Sequence, residues 1–207
     1  MLTAEENEML TRSARGTPGG EFFRRFWLPV ALSKELPEPD CPPVRVKMLG
    51  ENLLAFRDTT GKVGLVEPRC PHRGADLYFG RNEEGGLRCV YHGWKFSVTG
   101  ELLDMPSEPA GSPMRCNPNI RAKAYSVHEA GGIVWAYLGP QECVPPLPQM
   151  EFMSLPAQNF YTSKCLMKCN YQQALEGSID TAHLTFLHRS IAPMEKDVFN
   201  VGHLQEY

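Results

Sequence analysis

Residues 70–94, CPHRGADLYFGRNEEGGLRCVYHGW, hold two cysteines and two histidines in an unusual order. One residue separates Cys70 from His72, two separate Cys89 from His92, and sixteen lie between the pairs. Structural zinc sites usually open with a closely spaced cysteine pair and close with a closely spaced histidine pair, so like ligands come together. Here each segment supplies one of each, and Cys-x-His is tight for two ligands of a single ion. A two-iron cluster resolves the difficulty. One iron takes both cysteines, the other takes both histidines, and each segment reaches across the cluster. Such a centre puts each segment in a loop at the tip of a β hairpin, and Gly74 and Gly93 let backbone amides approach the cluster sulfurs.

The surrounding chain supplies the strands. Runs at 44–49, 52–58 and 62–67 are rich in β formers, and the DTTG turn at 58–61 separates the last two. WKFSVTGELLDM reads as a hairpin, and RAKAYSV and GIVWAYL read as further strands. Residues 27–140 therefore predict an all-β domain of antiparallel sheets. Ahead of it, residues 1–26 form a helix and lead-in, the helix opened by the capping box Thr3-x-x-Glu6. FFRRFW at 22–27 reads as a cationic aromatic segment packed under the β domain. Residues 141–158 are proline-rich and predict a stiff linker. In 159–207 an alternating strand pattern (159–169) precedes a helical one (170–188). That stretch is short for an independent core and predicts the incomplete beginning of an α+β domain. The fold class is α+β.

Composition excludes several roles. Hydrophobic residues make up 42% and charged residues 22%, which suits a packed core. The net charge of −3 gives no reason to expect nucleic acid. The longest apolar runs, such as GGIVWAYLG, are too short to span a membrane. The acidic start lacks the apolar core of a secretory signal, so a cytoplasmic location is expected. Seven cysteines without a signal argue against a disulfide framework, and the five outside the Cys/His segments read as free thiols. His128, His203, Trp94 and Trp135 read as structural.

CPHRGA…CVYHGW resembles the Rieske motif of ring-hydroxylating oxygenases. EFFRRFWLPV, CPPVRVKMLG, AGGIVWAYLG and ALEGSIDTAHLTFLH look like large subunits of the phthalate dioxygenase type. The resemblance implies a [2Fe–2S] cluster held by Cys70, His72, Cys89 and His92. High-potential respiratory Rieske proteins carry an extra cysteine in each loop and hydroxyl side chains after the second histidine. The matching positions here are Ala75, Tyr91, Trp94 and Phe96. Without those hydrogen bonds to the sulfurs, a potential near the low end of the Rieske range, roughly −150 mV, is expected.

A second constellation lies in NYQQALEGSIDTAHLTFLHRS. On an ideal helix Glu176, Asp180 and His183 share one face, while His188 lies about 140° round from His183. Both imidazoles reach one ion only if the helix breaks or bulges between them. Two histidines and a carboxylate with open positions make the facial triad of non-haem Fe(II) oxygenases. Asp180-x-x-His183-x4-His188 resembles the mononuclear-iron motif of the same family. The resemblance makes His183 and His188 iron ligands, Asp180 a carboxylate bridging His183 to His92 of a neighbouring subunit, and Glu176 a polar residue near the iron. The family's third ligand, an aspartate, has no counterpart here, since its members run about twice this length. The chain is thus expected to be a fragment, or one whose other half is separate.

The function so implied is a terminal oxygenase component. A flavin/iron-sulfur reductase fed by NAD(P)H supplies electrons, and an aromatic substrate is hydroxylated or demethylated with O2 in a homotrimer. Two other readings stay open: a Rieske ferredoxin-like electron carrier without chemistry of its own, and a zinc-stabilised interaction domain.

Overall fold

Residues Glu51–Arg57 form a strand in which Leu53, Leu54, Ala55 and Phe56 are all buried. Successive side chains of a strand point to opposite faces, so this strand has a core on each side. Leu53 and Ala55 join Val30, Leu36, Val46, Leu65, Tyr125 and Val134 in one cluster. Leu54 and Phe56 join Val66, Leu77, Leu87, Trp94, Phe96 and Met105 in another, which also contains Cys70 and Cys89.

The computed structural model describes residues 2–187. Two helices come first, α1 (Ala4–Thr11) and α2 (Pro18–Phe23). The strands follow: β1 (Trp27–Leu32), β2 (Val44–Met48), β3 (Glu51–Arg57), β4 (Val63–Val66), β5 (Arg81–Glu83), β6 (Gly86–Arg88), β7 (Lys95–Phe96), β8 (Leu102–Asp104), β9 (Ala124–Ala130) and β10 (Ile133–Tyr137). The helices α3 (Tyr171–Ile179) and α4 (Leu184–Leu187) come last.

The chain divides into two compact units, one of Arg12–Lys164 and one holding the residues up to Thr11 and those from Cys165 on. In the first, six strands form an antiparallel sheet in the order β1-β10-β9-β4-β3-β2, and four form a small sheet in the order β5-β6-β7-β8. The expected meander and the β7–β8 and β9–β10 hairpins are present. Pro29 sits in an edge strand beside a register shift, where a missing N–H is tolerated.

Helix α2 is absent from the sequence reading, although Thr17-Pro18 is a start signal. The Thr17 hydroxyl accepts from the Gly20 N–H at 3.1 Å, and Pro18 occupies the first turn. FFRRFW is split rather than packed under the domain as a whole. Arg24 is buried against Glu51 at 2.6 Å, whereas Phe22 and Phe26 are exposed.

In the second unit the capping box forms as expected. Glu6 accepts from the Thr3 N–H at 2.8 Å, and Thr3 accepts from the Glu6 N–H at 3.2 Å. The Tyr171 hydroxyl donates to the Leu10 carbonyl and ties α3 to α1. Two expectations fail in the C-terminal stretch. Residues 160–167 form no strand despite their alternation, because no sheet edge pairs with them, and Tyr161 and Leu166 are exposed. The helix expected over 170–188 ends at Ile179. No helix among the described residues is long and apolar enough to cross a membrane.

Candidate metal centre

The two Cys/His loops have the same backbone. The Cys70 N–H donates to the Ala75 carbonyl and the Gly74 N–H to the Cys70 carbonyl, both at 2.8 Å. The Cys89 N–H donates to the Trp94 carbonyl at 2.8 Å and the Gly93 N–H to the Cys89 carbonyl at 3.0 Å. Gly74 and Gly93 both have left-handed φ, +70° and +76°, which closes each turn. Their own amides are thus spent on the cysteine carbonyls rather than on a cluster sulfur. At Cys70 the N–H groups of His72 and Arg73 face the sulfur instead.

An arginine precedes each cysteine and repeats the equivalence. Arg69 donates to the Gly74 carbonyl at 3.2 Å, and Arg88 to the Gly93 carbonyl at 2.9 Å. Arg88 is buried and also meets Glu83 at 2.6 Å, Asp104 at 2.8 Å and Glu84 at 3.3 Å. Arg69 is exposed. These arginines went unread in the sequence, although aligning RCPHRG with RCVYHG on the cysteines displays them. The first loop lies between β4 and the Asp76 bridge to Arg69, and the second is the tip of the β6–β7 hairpin.

The four side chains pair by type. Cys70 and Cys89 are both 2% exposed, and each thiol lies within electrostatic reach of the other. Burial pushes the Cys70 thiol up to about 11. The His72 and Arg73 amides pull it down, and Cys89 adds to the rise. The His72 and His92 rings meet edge to face, 4.4 Å between centroids. Trp94 lies flat on the other side of His72, at 4.4 Å and 6° between planes, and its Nε1 donates to the Ser107 hydroxyl at 3.2 Å. Tyr91 lies against His92 at 3.9 Å. The His72 Nδ1 is buried and has no hydrogen-bond partner among the described residues.

This arrangement fits a [2Fe–2S] cluster. An imidazole nitrogen buried without a partner is costly unless it has a ligand to meet. Two buried neighbouring thiols suit a site where cations replace their protons. Among the described residues no three His, Cys, Asp or Glu side chains converge on one ion position. A cysteine pair and a histidine pair match the split donor set of the two-iron centre.

The second constellation is rearranged. Asp180 caps α3 with extended backbone, so Glu176, Asp180 and His183 do not share a continuous helical face. The cause is local: one Asp180 carboxylate oxygen accepts from the Ala182 N–H at 2.8 Å, a turn that competes with the helix. The other oxygen lies 3.2 Å from His183 Nδ1. The backbone thus breaks ahead of His183, whereas Leu184–Leu187 after it is helical, so the break that the two imidazoles require between them is not present among the described residues. Hydrogen bonds from the Ala182 amide and His183 hold the Asp180 carboxyl below its ordinary range. Glu176 accepts from Gln173 at 3.0 Å and Gln172 at 3.4 Å within its own helix. His188 and His203 lie outside the described residues. His128 meets Trp27 edge to face at 6.5 Å, a packing contact.

A family model described as the Rieske [2Fe-2S] domain matches residues 26–125, and one described as LigXa C-terminal domain like matches residues 136–198. The chain is 46% identical over 190 residues to the phthalate 4,5-dioxygenase oxygenase subunit of Pseudomonas putida, covering 92% of this chain and 43% of that protein. It is 48% identical over 189 residues to the 3-chlorobenzoate-3,4-dioxygenase oxygenase subunit of Comamonas testosteroni, covering 91% and 43%. It is 39% identical over 189 residues to the 5,5'-dehydrodivanillate O-demethylase oxygenase subunit of a Sphingobium species, covering 91% and 44%. Among solved structures, Pseudomonas putida CBB5 NdmA superposes with a TM-score of 0.67 at 26% identity, over 81% of this chain and 51% of that one. Dicamba monooxygenase with non-heme iron and dicamba gives 0.54 at 28% identity, over 61% and 38%. The chain spans less than half the length of these three curated relatives. On these matches it belongs to the Rieske oxygenase family, with a Rieske [2Fe–2S] domain followed by a LigXa-C-terminal-like region.

Proposed function

We propose that this chain is the cluster-bearing part of a terminal oxygenase that hydroxylates or demethylates an aromatic substrate. The observation that carries the reading is the pairing of two buried thiols and two imidazoles, with a buried His72 Nδ1 awaiting a ligand. Cys70 and Cys89 hold one iron of the cluster, and His72 and His92 hold the other. His183 and His188 are the mononuclear-iron ligands, the third being outside this chain. When bound, the cluster supplies one-electron transfer and the mononuclear iron supplies O2 activation.

The protein's part is orientation. Asp180 accepts a hydrogen bond from His183 Nδ1, which fixes the proton there and leaves Nε2 as the metal-facing nitrogen. In a head-to-tail homotrimer the same carboxylate links His183 to His92 of the next subunit. Glu176 is a polar neighbour of the iron. The working partners are an NAD(P)H-fed reductase and an aromatic substrate, in the cytoplasm. Two of the named relatives act on phthalate and 3-chlorobenzoate, so aromatic acids are the first substrates to try.

The deciding experiment is EPR of anaerobically purified, dithionite-reduced protein with metals counted on the same sample. An anisotropic signal averaging below the free-electron value is expected, with about three irons per chain in the whole oxygenase. About two irons per chain would make the protein an electron carrier. Zinc without a signal would overturn the redox reading.

A further inference from the structure

His72 is the ligand candidate whose orientation its own loop does not explain. The first loop fixes its backbone, through Cys70, Gly74 and Ala75. Nothing in that loop holds the imidazole, and its buried Nδ1 has no partner among the described residues. The ring plane is set from across the site by Trp94, which follows the second loop. Stacking at 4.4 Å and 6° leaves the imidazole one plane to lie in. Trp94 is in turn fixed at both ends. Its carbonyl accepts from the Cys89 N–H at 2.8 Å, and its Nε1 donates to Ser107 at 3.2 Å. The indole is only 3% exposed and packs among Leu77, Leu87, Phe96 and Met105. Among the described residues His92 has no such anchor. Its neighbours are the His72 edge and Tyr91, which is exposed.

We propose that Trp94, locked by Ser107, is a positioning residue for His72. It holds the imidazole plane so that Nδ1 faces the iron site, and it ties the first loop to the second. A hydrogen bond from elsewhere commonly orients a metal-binding histidine. Here a stacked indole performs that task for one of two histidines, so the two imidazoles of one iron are held unequally. Removing the indole frees rotation about the His72 ring axis while leaving the His92 contact with Tyr91 in place.

The inference rests on the cluster assignment above, and the test separates the two. Wild-type, Trp94→Phe, Trp94→Leu and Ser107→Ala proteins are purified with their clusters, reduced, and compared by EPR and by nitrogen hyperfine spectroscopy. Wild type should show two distinct imidazole nitrogen couplings. In Trp94→Leu one coupling should shift or broaden while the other stays, and a chelator should strip iron about tenfold faster. Trp94→Phe should restore much of the lost coupling, because a phenyl ring still stacks. Ser107→Ala should broaden the same coupling without loss of iron, and it keeps the test alive if Trp94→Leu fails to fold. Unchanged couplings in both Trp94→Leu and Ser107→Ala would overturn the proposal. Equal shifts in both couplings would do so too, since that is what general loosening of the core produces. No Rieske-type signal in wild type would instead sink the cluster assignment.

Discussion

Arg88 donates to the carbonyl of Gly93 at 2.9 Å and braces the loop that carries Cys89 and His92. The same guanidinium reaches Asp104 and Glu83, so the loop is tied to β8 and β5. Arg88→Met should lower the unfolding free energy by about 2 kcal/mol, the scale of losing charge-assisted hydrogen bonds whose acceptors are partly solvated. Urea unfolding checks this. Arg88→Lys should recover little, because one ammonium cannot span the carbonyl and both carboxylates. A wild-type midpoint in Arg88→Met would mean that the brace contributes nothing.

The two loop glycines should differ in their tolerance of a side chain. Both have left-handed φ, which costs an L residue about 1–2 kcal/mol. A Cβ on Gly74 meets nothing within 4 Å, whereas one on Gly93 falls 2.6 Å from Pro106 Cγ. Gly74→Ala should fold with a modestly lower melting temperature. Gly93→Ala should lose stability and cluster content together. Equal melting temperatures would count against the clash.

Glu51 should give the sheet domain an acid-sensitive step. Burial disfavours its charge, but hydrogen bonds from Lys123 and Tyr125 and the Arg24 charge prevail and hold it at about 2, below the ordinary 4.5. A depressed carboxyl pKa stabilises the fold above the unfolded value and is lost as pH falls through the folded one. Wild-type stability should therefore decline from about pH 4.5 toward pH 2 more steeply than that of Glu51→Gln. Urea midpoints measured across that window test it, and parallel curves would refute it.

Asp180→Asn should keep both metals yet slow turnover about tenfold or more in the whole oxygenase, because the amide is a poor acceptor for His183 Nδ1. Iron analysis beside NAD(P)H-coupled product formation checks it. Wild-type turnover would remove Asp180 from the electron path.

The cluster potential should lie near the low end for Rieske centres, roughly −150 mV. Trp94 spends its N–H on Ser107, and neither Trp94 nor Phe96 carries a hydroxyl. A redox titration giving a value well above zero would contradict this.

Strands were legible where local chemistry and tertiary need agree. The DTTG turn and the runs beside it carry their own signals, and β3 reads as strand because both of its faces are buried. The Cys/His spacing led directly to the paired donors. Failures came where tertiary context decides. Residues 159–169 alternate but find no sheet edge, and Asp180 ends α3 by capturing the Ala182 amide. Trp94 reads only as structural in the sequence, because nothing local links it to His72. The Arg69 and Arg88 pair escaped for another reason. Their meaning emerges only when the loops are compared with each other, and the differing histidine offsets hide that comparison.

Strand β3 walls off two cores, with Leu53 and Ala55 facing one and Leu54 and Phe56 facing the one that holds Cys70 and Cys89. Such a partition cannot shift toward one side without loosening the other. Filling the metal pocket should thus be felt on the far side of the wall, at Val30 and Val134, as slower amide exchange. The redox centre and the six-stranded sheet should then melt in a single transition, with iron release accompanying the unfolding of both cores.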